Sequence, residues 1–468
     1  MAQANGFDLA VVGAGSAGFS AAIAAAERGA KVLLVGYGTI GGTCVNVGCI
    51  PSKFLVRAAE AVWAGRAARR FAGLVGEVRL QDWTALRRQK DELVARLRRE
   101  KYVDLLGHYG NVRYLEGRAR LVAGGLEVAG RRLMVPRILL TTGARPRVPE
   151  IPGLERTPWL DSTRALALER LPRSLLVLGA GYVGAELAQA FSRLGVEVTL
   201  LCRRRLLPEA EPELSGALAD HLRGEGLRLR EGLRYLHIAP TSSGVRLEVE
   251  GAGGPEALEA EAVLIAAGRV PNSDGLGLEE LGVARNAEGA VVVDRFMRTS
   301  REGIYAAGDV TDRHRYVYMA AHGGRIAAIN ALEGEVENYD DRAVPSVVFT
   351  DPELASVGMT EASARAAGLA VRTSFLEADQ LPRALAANDL RVRIKLVAEA
   401  ASGRLLGVHI LAPHAGDSIQ SGALALRAGM TADELGRVIF PYLTTVEGLK
   451  LAAQGFARDV SKLSCCAG

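Results

Sequence analysis

At 468 residues the chain is too long for one compact core, since domains run at roughly 100 to 200 residues, so three or four units are expected. Its 57 basic and 53 acidic side chains nearly cancel, and a net charge of +4 gives no general electrostatic reason for a nucleic-acid or membrane partner. Five cysteines are too few for a secreted disulfide framework, no apolar run approaches the roughly 20 residues of a membrane span, and the start runs into a strand without a cleavable leader; the expected location is cytoplasmic.

The first element pattern begins at Asp8 with DLAVVGAGSAGFSAAIAAAERGAKVLLVG. An apolar strand, a glycine turn, an alanine-rich helix ending at Gly29 and a second β-branched strand form a βαβ unit. In Gly13-x-Gly15-x-x-Gly18 the first glycine permits a tight turn, the second lets backbone approach a pyrophosphate, and the third lets helix pack on strand. The second strand ends at Gly36, where an acidic contact to a ribose would stand. Tyr37 or a water takes that role, or the contact is absent.

The stretch GGTCVNVGCIPSK, Gly41 to Lys53, carries the chemistry. Residues five apart on a regular helix point about 140° away from one another, so Cys44 and Cys49 can bond only across irregular backbone, which Gly48 makes feasible. Pro51 reads as an early helical position and puts Cys49 near a helix N-terminus, where the dipole favours a thiolate. Cys49 is therefore expected to be the more acidic sulfur. Gln81 to Glu100 has helical periodicity with one charged face, and reads as a solvated amphipathic helix without a functional signal of its own.

SLLVLGAGYVGAELAQAFSRLGVEVTLLC from Ser174 repeats the first architecture, with Gly179-x-Gly181-x-x-Gly184 as its fingerprint. Arg203, Arg204 and Arg205 follow its second strand. Guanidinium forks suit a 2′-phosphate, so this site is expected to prefer NADPH to NADH. Cys202, at the end of an apolar run, reads as a small buried hydrophobe. From Arg342 the texture changes to strands followed by helices without a glycine fingerprint, which suggests an α+β domain that pairs subunits.

The cysteine segment, the two fingerprints and Gly308-Asp309 in GIYAAGDVT together resemble the pyridine nucleotide–disulfide oxidoreductases, over essentially the whole chain. The resemblance implies an α/β fold: two Rossmann-like domains, one for FAD and one for NADPH, plus a C-terminal α+β dimerisation domain. It divides the chain into a FAD domain over 1–145, an NADPH domain over 146–269, a central region over 270–340 completing the FAD domain, and a dimerisation domain over 341–468. It also implies FAD on Gly13, Gly15, Ser16, Ala17, Gly18, Gly42, Thr43, Lys53, Thr142, Gly143, Gly308 and Asp309. NADPH would lie on Gly179, Gly181, Tyr182, Val183, Gly184, Glu186, Arg203, Arg204 and Gly268. Lys53 would pair with Glu186 beside the flavin, and Tyr182 would cover the flavin face until the nicotinamide displaces it. Cys44 would be the interchange thiol and Cys49 the sulfur stacked on the flavin.

Disulfide-reducing members carry a His-Pro-x-x-x-Glu segment from the partner subunit. Here the equivalent is Tyr442 to Glu447. A phenol with a reference pKa of about 10 is a poor base where histidine serves, so ordinary disulfide exchange is not the expected task. The chain ends SKLSCCAG, and adjacent thiolates at Cys465 and Cys466 suit capture of a soft metal ion. With Tyr442 and Tyr102, that ending is similar to the mercury(II)-reducing branch of the family. This implies a homodimer with shared active sites, in which Cys465 and Cys466 of one subunit pass thiol-complexed Hg(II) to Cys44 and Cys49 of the other for two-electron reduction. No small metal-binding domain precedes Phe7, so small thiols or another protein are expected to deliver the metal. A dihydrolipoyl- or glutathione-type reductase, a metal-sequestering protein on a vestigial flavin fold, and reduction of other soft metals are the competing expectations.

Overall fold

The computed structural model describes residues 6–462. Its first sheet is parallel. It runs in the order Ile304–Ala306, Ile138–Leu140, β1 (Leu9–Val12), β2 (Val32–Gly36) and β3 (Val112–Glu116). β1 and β2 are buried at every position, which is why both read as unbroken apolar runs and do not alternate. The fingerprint helix α1 (Ser16–Ala26) lies on this sheet, and its alanine-rich composition has a packing cause. The helix Val317–Glu333 crosses it so closely that a Cβ on Gly324 would collide with the Ala17 backbone.

The second parallel sheet orders Arg228–Arg230, Glu197–Leu201, Ser174–Leu178 and Ala262–Ile265, with the helix Tyr182–Arg193 entered from the second fingerprint. The chain passes between the two nucleotide-binding units twice, and the two passages pair as an antiparallel ribbon, Ala144–Pro146 with Arg269–Pro271. The third sheet, Ser346–Val348, Glu353–Gly358, Leu405–Ala412, Arg393–Glu399 and Val371–Glu377, is antiparallel and carries the helix Ala415–Ala428. The expected α/β architecture with an α+β third unit is thus what the chain adopts.

Two charge networks hold the third unit against the second. Arg193, almost fully buried, meets Glu225 at 2.6 Å and Asp351 at 3.0 Å, while Arg391 reaches Asp351 at 3.1 Å. Lys395, also buried, contacts Glu211 at 2.9 Å, Glu213 at 2.8 Å and Glu361 at 2.9 Å. Charges this deep are tolerated only because each is paired.

Among the described residues, no helix is long and apolar enough to cross a membrane.

Candidate active site

Cys44 lies in a short helix, α2 (Gly42–Val47), and Cys49 is the first residue of α3 (Cys49–Ala67). Gly48 separates them with φ −125° and ψ −114°, outside helical geometry, so the sulfurs converge across a broken turn. α3 is anchored by Leu55, Val56, Ala59 and Val62, which join Ala185, Leu187 and Phe191 of the second fingerprint helix in one core. At roughly 1.5–3 kcal/mol per buried large apolar side chain, this packing fixes the cysteine helix to the second nucleotide unit. The reactive end cannot drift independently.

Position sets the acidity of each sulfur. A hydrogen bond from the Cys44 thiol holds Cys49 down to about 7, with Lys53 adding attraction and burial opposing both. The same pairing, reinforced by burial, pushes Cys44 well above the usual thiol range. At neutral pH Cys49 is therefore about half thiolate, while Cys44 keeps its proton.

Lys53, one turn into α3, donates to Glu186 Oε2 at 2.7 Å, and its ammonium stands 4.8 Å from the centre of the Phe349 ring. Glu186 is only 5% exposed, and its other oxygen accepts the Phe349 N–H at 3.0 Å. Phe349, from the third unit, went unnoticed in the sequence, where nothing in VVFTDP marks it as different from core.

Tyr102 approaches from the other side. α4 (Trp83–Arg98) is more than a solvated helix: it buries Trp83, Val94 and Lys90, and Lys90 donates to the Leu166 carbonyl at 2.6 Å. A widened turn at Arg99–Val103 follows and carries Tyr102 inward. Its ring packs edge-on to Phe19 at 4.9 Å, and its hydroxyl stands 3.5 Å from Ser16 Oγ. Burial raises this phenol above its ordinary pKa, and the charges of Cys44 and Cys49 add to the effect. The turn that follows the helix, and not the helix itself, thus places Tyr102, which the sequence had singled out separately.

The residues present fit two dinucleotides. At the first fingerprint a Cβ on Gly13 would strike the Thr141 carbonyl and one on Gly18 the Gly13 carbonyl. Gly15 caps α1 with no side-chain hydrogen bond and no acid in the first turn, leaving its N–H groups for phosphate. Gly42 and Thr43 open α2 beside Gly15. Thr142 is clasped by Asn272, accepting at its carbonyl at 2.9 Å and donating from its hydroxyl at 2.7 Å, and Gly143 follows with φ +68°. Asp309, after Gly308, lies 3.8 Å from Arg269, and burial pushes its carboxyl up. Arg269 Nε is buried without a hydrogen-bond partner among the described residues, the kind of orphan that a polar ligand satisfies.

The second fingerprint opens onto a cleft of about 1340 Å³ lined by Gly179, Gly181, Tyr182, Val183, Arg203, Arg204 and Gly268 among others. Gly184 lies behind it, where a Cβ would strike the Gly179 carbonyl. Arg203 makes no hydrogen bond or ion pair among the described residues, whereas Arg205 braces the loop through the Pro208 and Ala210 carbonyls at 2.8 and 2.7 Å. Arg204 reaches Glu209 at 2.9 Å. Tyr182 is half-exposed at the helix start; its hydroxyl is 3.3 Å from that of Tyr316, and the rings stack at 6.3 Å. Tyr316 was missed in the sequence, although the aromatic alternation in RYVYM was a legible signal. Cys202 is buried, and burial pushes its thiol up to about 12.

Tyr442 is half-exposed on the third unit. Glu447 is buried behind it and accepts the Leu443 N–H at 3.0 Å, holding the turn that presents the phenol. Cys465 and Cys466 lie outside the described residues.

A thiol pair poised at a helix start, a lysine paired with a buried carboxylate beside it and two dinucleotide cradles define an oxidoreductase that moves electrons between a dinucleotide and sulfur. The chain belongs to the pyridine nucleotide-disulphide oxidoreductase family: the family model matches residues 7–327, and the family's dimerisation-domain model matches residues 344–453. It is accordingly an FAD-dependent enzyme. It is 45% identical to the mercuric reductase of Streptomyces lividans, covering 100% of both chains, and 44% identical to that of Staphylococcus aureus, covering 99% of this chain and 84% of the relative. Among solved structures, the Cu(II) complex of the HOCl-induced flavoprotein disulfide reductase RclA from Escherichia coli is similar at 30% identity and a TM-score of 0.85, over 97% of this chain and 100% of that one.

Proposed function

We propose that the enzyme is an NADPH-dependent mercury(II) reductase acting as a homodimer in the cytoplasm. NADPH gives up two electrons and a proton, and Hg(II) leaves as Hg(0). The observation that carries this reading is the end-to-end similarity to mercuric reductase at 45% identity, joined to a phenol at Tyr442 where a disulfide reductase uses histidine. Bound FAD supplies the two-electron relay between nicotinamide and the metal held at the thiol pair.

The chain's own residues do the rest. Gly13, Gly15, Ser16, Ala17, Gly18, Gly42, Thr43, Thr142, Gly143, Gly308 and Asp309 would hold FAD. Gly179, Gly181, Val183, Gly184 and Gly268 would hold the nicotinamide nucleotide, with Arg203 and Arg204 directed to its 2′-phosphate. Tyr182 shields the nicotinamide position. Cys44, the interchange thiol, receives Hg(II) first and gives up its proton to solvent; Cys49, the more acidic sulfur, then closes a two-thiolate cradle. Lys53, charge-balanced by Glu186, keeps the cradle's surroundings positive without competing as a ligand. Tyr102 and the partner-facing Tyr442, whose loop Glu447 holds, close the sides of the cradle. Cys465 and Cys466 deliver Hg(II), because a metal bound by two thiolates escapes fastest through another pair.

The test is NADPH oxidation by the purified holoenzyme with Hg(II) in excess thiol, run in parallel with oxidised glutathione, lipoamide and thiol-complexed Cu(II). One NADPH consumed per Hg(0) released is the expected result. Oxidation driven by a disulfide and not by Hg(II) would overturn the assignment in favour of a disulfide reductase, the reading favoured by the likeness to RclA.

A further inference from the structure

The end of β2 is where a dinucleotide fold presents an acid to the adenosine ribose, and Gly36 stands there. The structure gives a steric reason. A Cβ on Gly36 would lie 2.5 Å from Tyr114 Oη, 2.8 Å from Tyr114 Cε2 and 2.9 Å from Ala14 Cβ, closer than real side chains approach. The space an acidic residue needs is filled by a phenol from the neighbouring strand.

Tyr114 pairs with Leu34 in the β2–β3 register, two residues before Glu116, which pairs with Gly36. Residues two apart share a face of the sheet, so the ring leans along that face toward Gly36. Ala14 belongs to the first fingerprint, so the hydroxyl stands beside the turn shaped for pyrophosphate. Tyr114 is half-buried and makes no hydrogen bond among the described residues, leaving both its donor and its acceptor open. Tyr37, the sequence's alternative, is engaged elsewhere. It is 67% exposed, its ring lies 4.5 Å from the Arg118 guanidinium, and its hydroxyl accepts from Arg118 at 3.2 Å.

We propose that the Tyr114 hydroxyl is the adenosine-ribose contact of the FAD site, taking the position the missing carboxylate would occupy. The proposal rests on the assignment of FAD to the first fingerprint. A phenol accepts from one ribose hydroxyl and can donate to the other, and it does so without charge. Burial, with Glu116 nearby, holds the Tyr114 phenol above its ordinary pKa, so it stays protonated at neutral and mildly alkaline pH.

The test uses flavin-stripped protein titrated with FAD, read by quenching of flavin fluorescence, together with calorimetric binding of ADP and its 2′- and 3′-deoxy analogues. Tyr114→Phe is expected to weaken FAD and ADP alike by roughly three- to tenfold, the range of one neutral hydrogen bond. It should also abolish the preference for ADP over at least one deoxy analogue. Tyr37→Phe and Glu116→Gln should bind as the parent does. A parent protein that binds FAD while Tyr114→Phe binds it unchanged, or keeps full discrimination against both deoxy analogues, overturns the ribose contact alone. A parent protein that binds no FAD overturns the site assignment beneath it.

Discussion

Replacing Cys44 by alanine removes the donor whose hydrogen bond is the largest influence holding Cys49 down to about 7. A hydrogen bond to a charged group contributes roughly 1.5–3 kcal/mol, and one pKa unit corresponds to about 1.4 kcal/mol. The Cys49 thiol should therefore rise by about one to two units. The sign follows from the charged form: the donor stabilises the anion, so its loss favours the protonated thiol and moves the midpoint upward. At pH 7 the thiolate fraction would fall from about half to about a tenth or less. Cys44→Ser keeps a donor at the same position and should recover most of the shift, which separates the hydrogen bond from a packing defect. The assay is the pH dependence of iodoacetamide alkylation of reduced protein, with Cys49 followed by peptide mass. A midpoint for Cys44→Ala that stays with the parent's would refute the assignment of Cys49 acidity to its neighbour.

Arg203→Ala with Arg204→Ala should raise KM for NADPH by roughly ten- to a hundredfold, as loss of charged contacts to a phosphate implies, and leave KM for NADH nearly unchanged; an equal rise for both would sink the 2′-phosphate role. Tyr442→Phe should slow Hg(II) reduction by about tenfold or more while reduction of the flavin by NADPH, followed by stopped-flow absorbance, is spared. Cys466→Ala should lower turnover at limiting thiol-complexed Hg(II), and full activity there would remove the tail from the delivery route. Lys395→Met strands the buried Glu211 and should cost about 3–5 kcal/mol in urea unfolding. Although burial opposes it, the hydrogen bond with Lys395 holds Glu213 below the usual carboxylate range, and Lys395 does the same for Glu361. Stability from these pairs is present above the unfolded carboxylate value of about 4.3 and is lost as pH falls through the lowered folded values. The parent should consequently lose more stability on acidification than the Lys395→Met variant.

The duplicated βαβ pattern was readable because its signals are local: strand, glycine turn and helix follow one another within thirty-odd residues, and Gly13, Gly18, Gly179 and Gly184 each answer to a specific close approach. The cysteine pair was readable for the same reason, with Gly48 and Pro51 supplying the broken turn and the helix start. Contacts made across the fold were not. Phe349 reaches Lys53 and Glu186 from a different unit, Tyr316 meets Tyr182 across 134 residues, and Tyr114 occupies the space above Gly36 from the next strand. In each case the sequence carries a common residue in an ordinary strand or loop, and only the docking of units gives it a task. The helix ending near Tyr102 was understated for a related reason: its polar face is real, but Lys90 is buried by finding a carbonyl rather than by being apolar.

The strand Ile304–Ala306 closes the first sheet and the helix Val317–Glu333 roofs α1. During synthesis from the N-terminus, the second nucleotide unit has all four strands of its sheet by Ile265, while the first still lacks an edge and a roof. At about 5–20 residues per second, the fingerprint made at residues 13–18 waits on the order of tens of seconds for the segment that finishes its cradle.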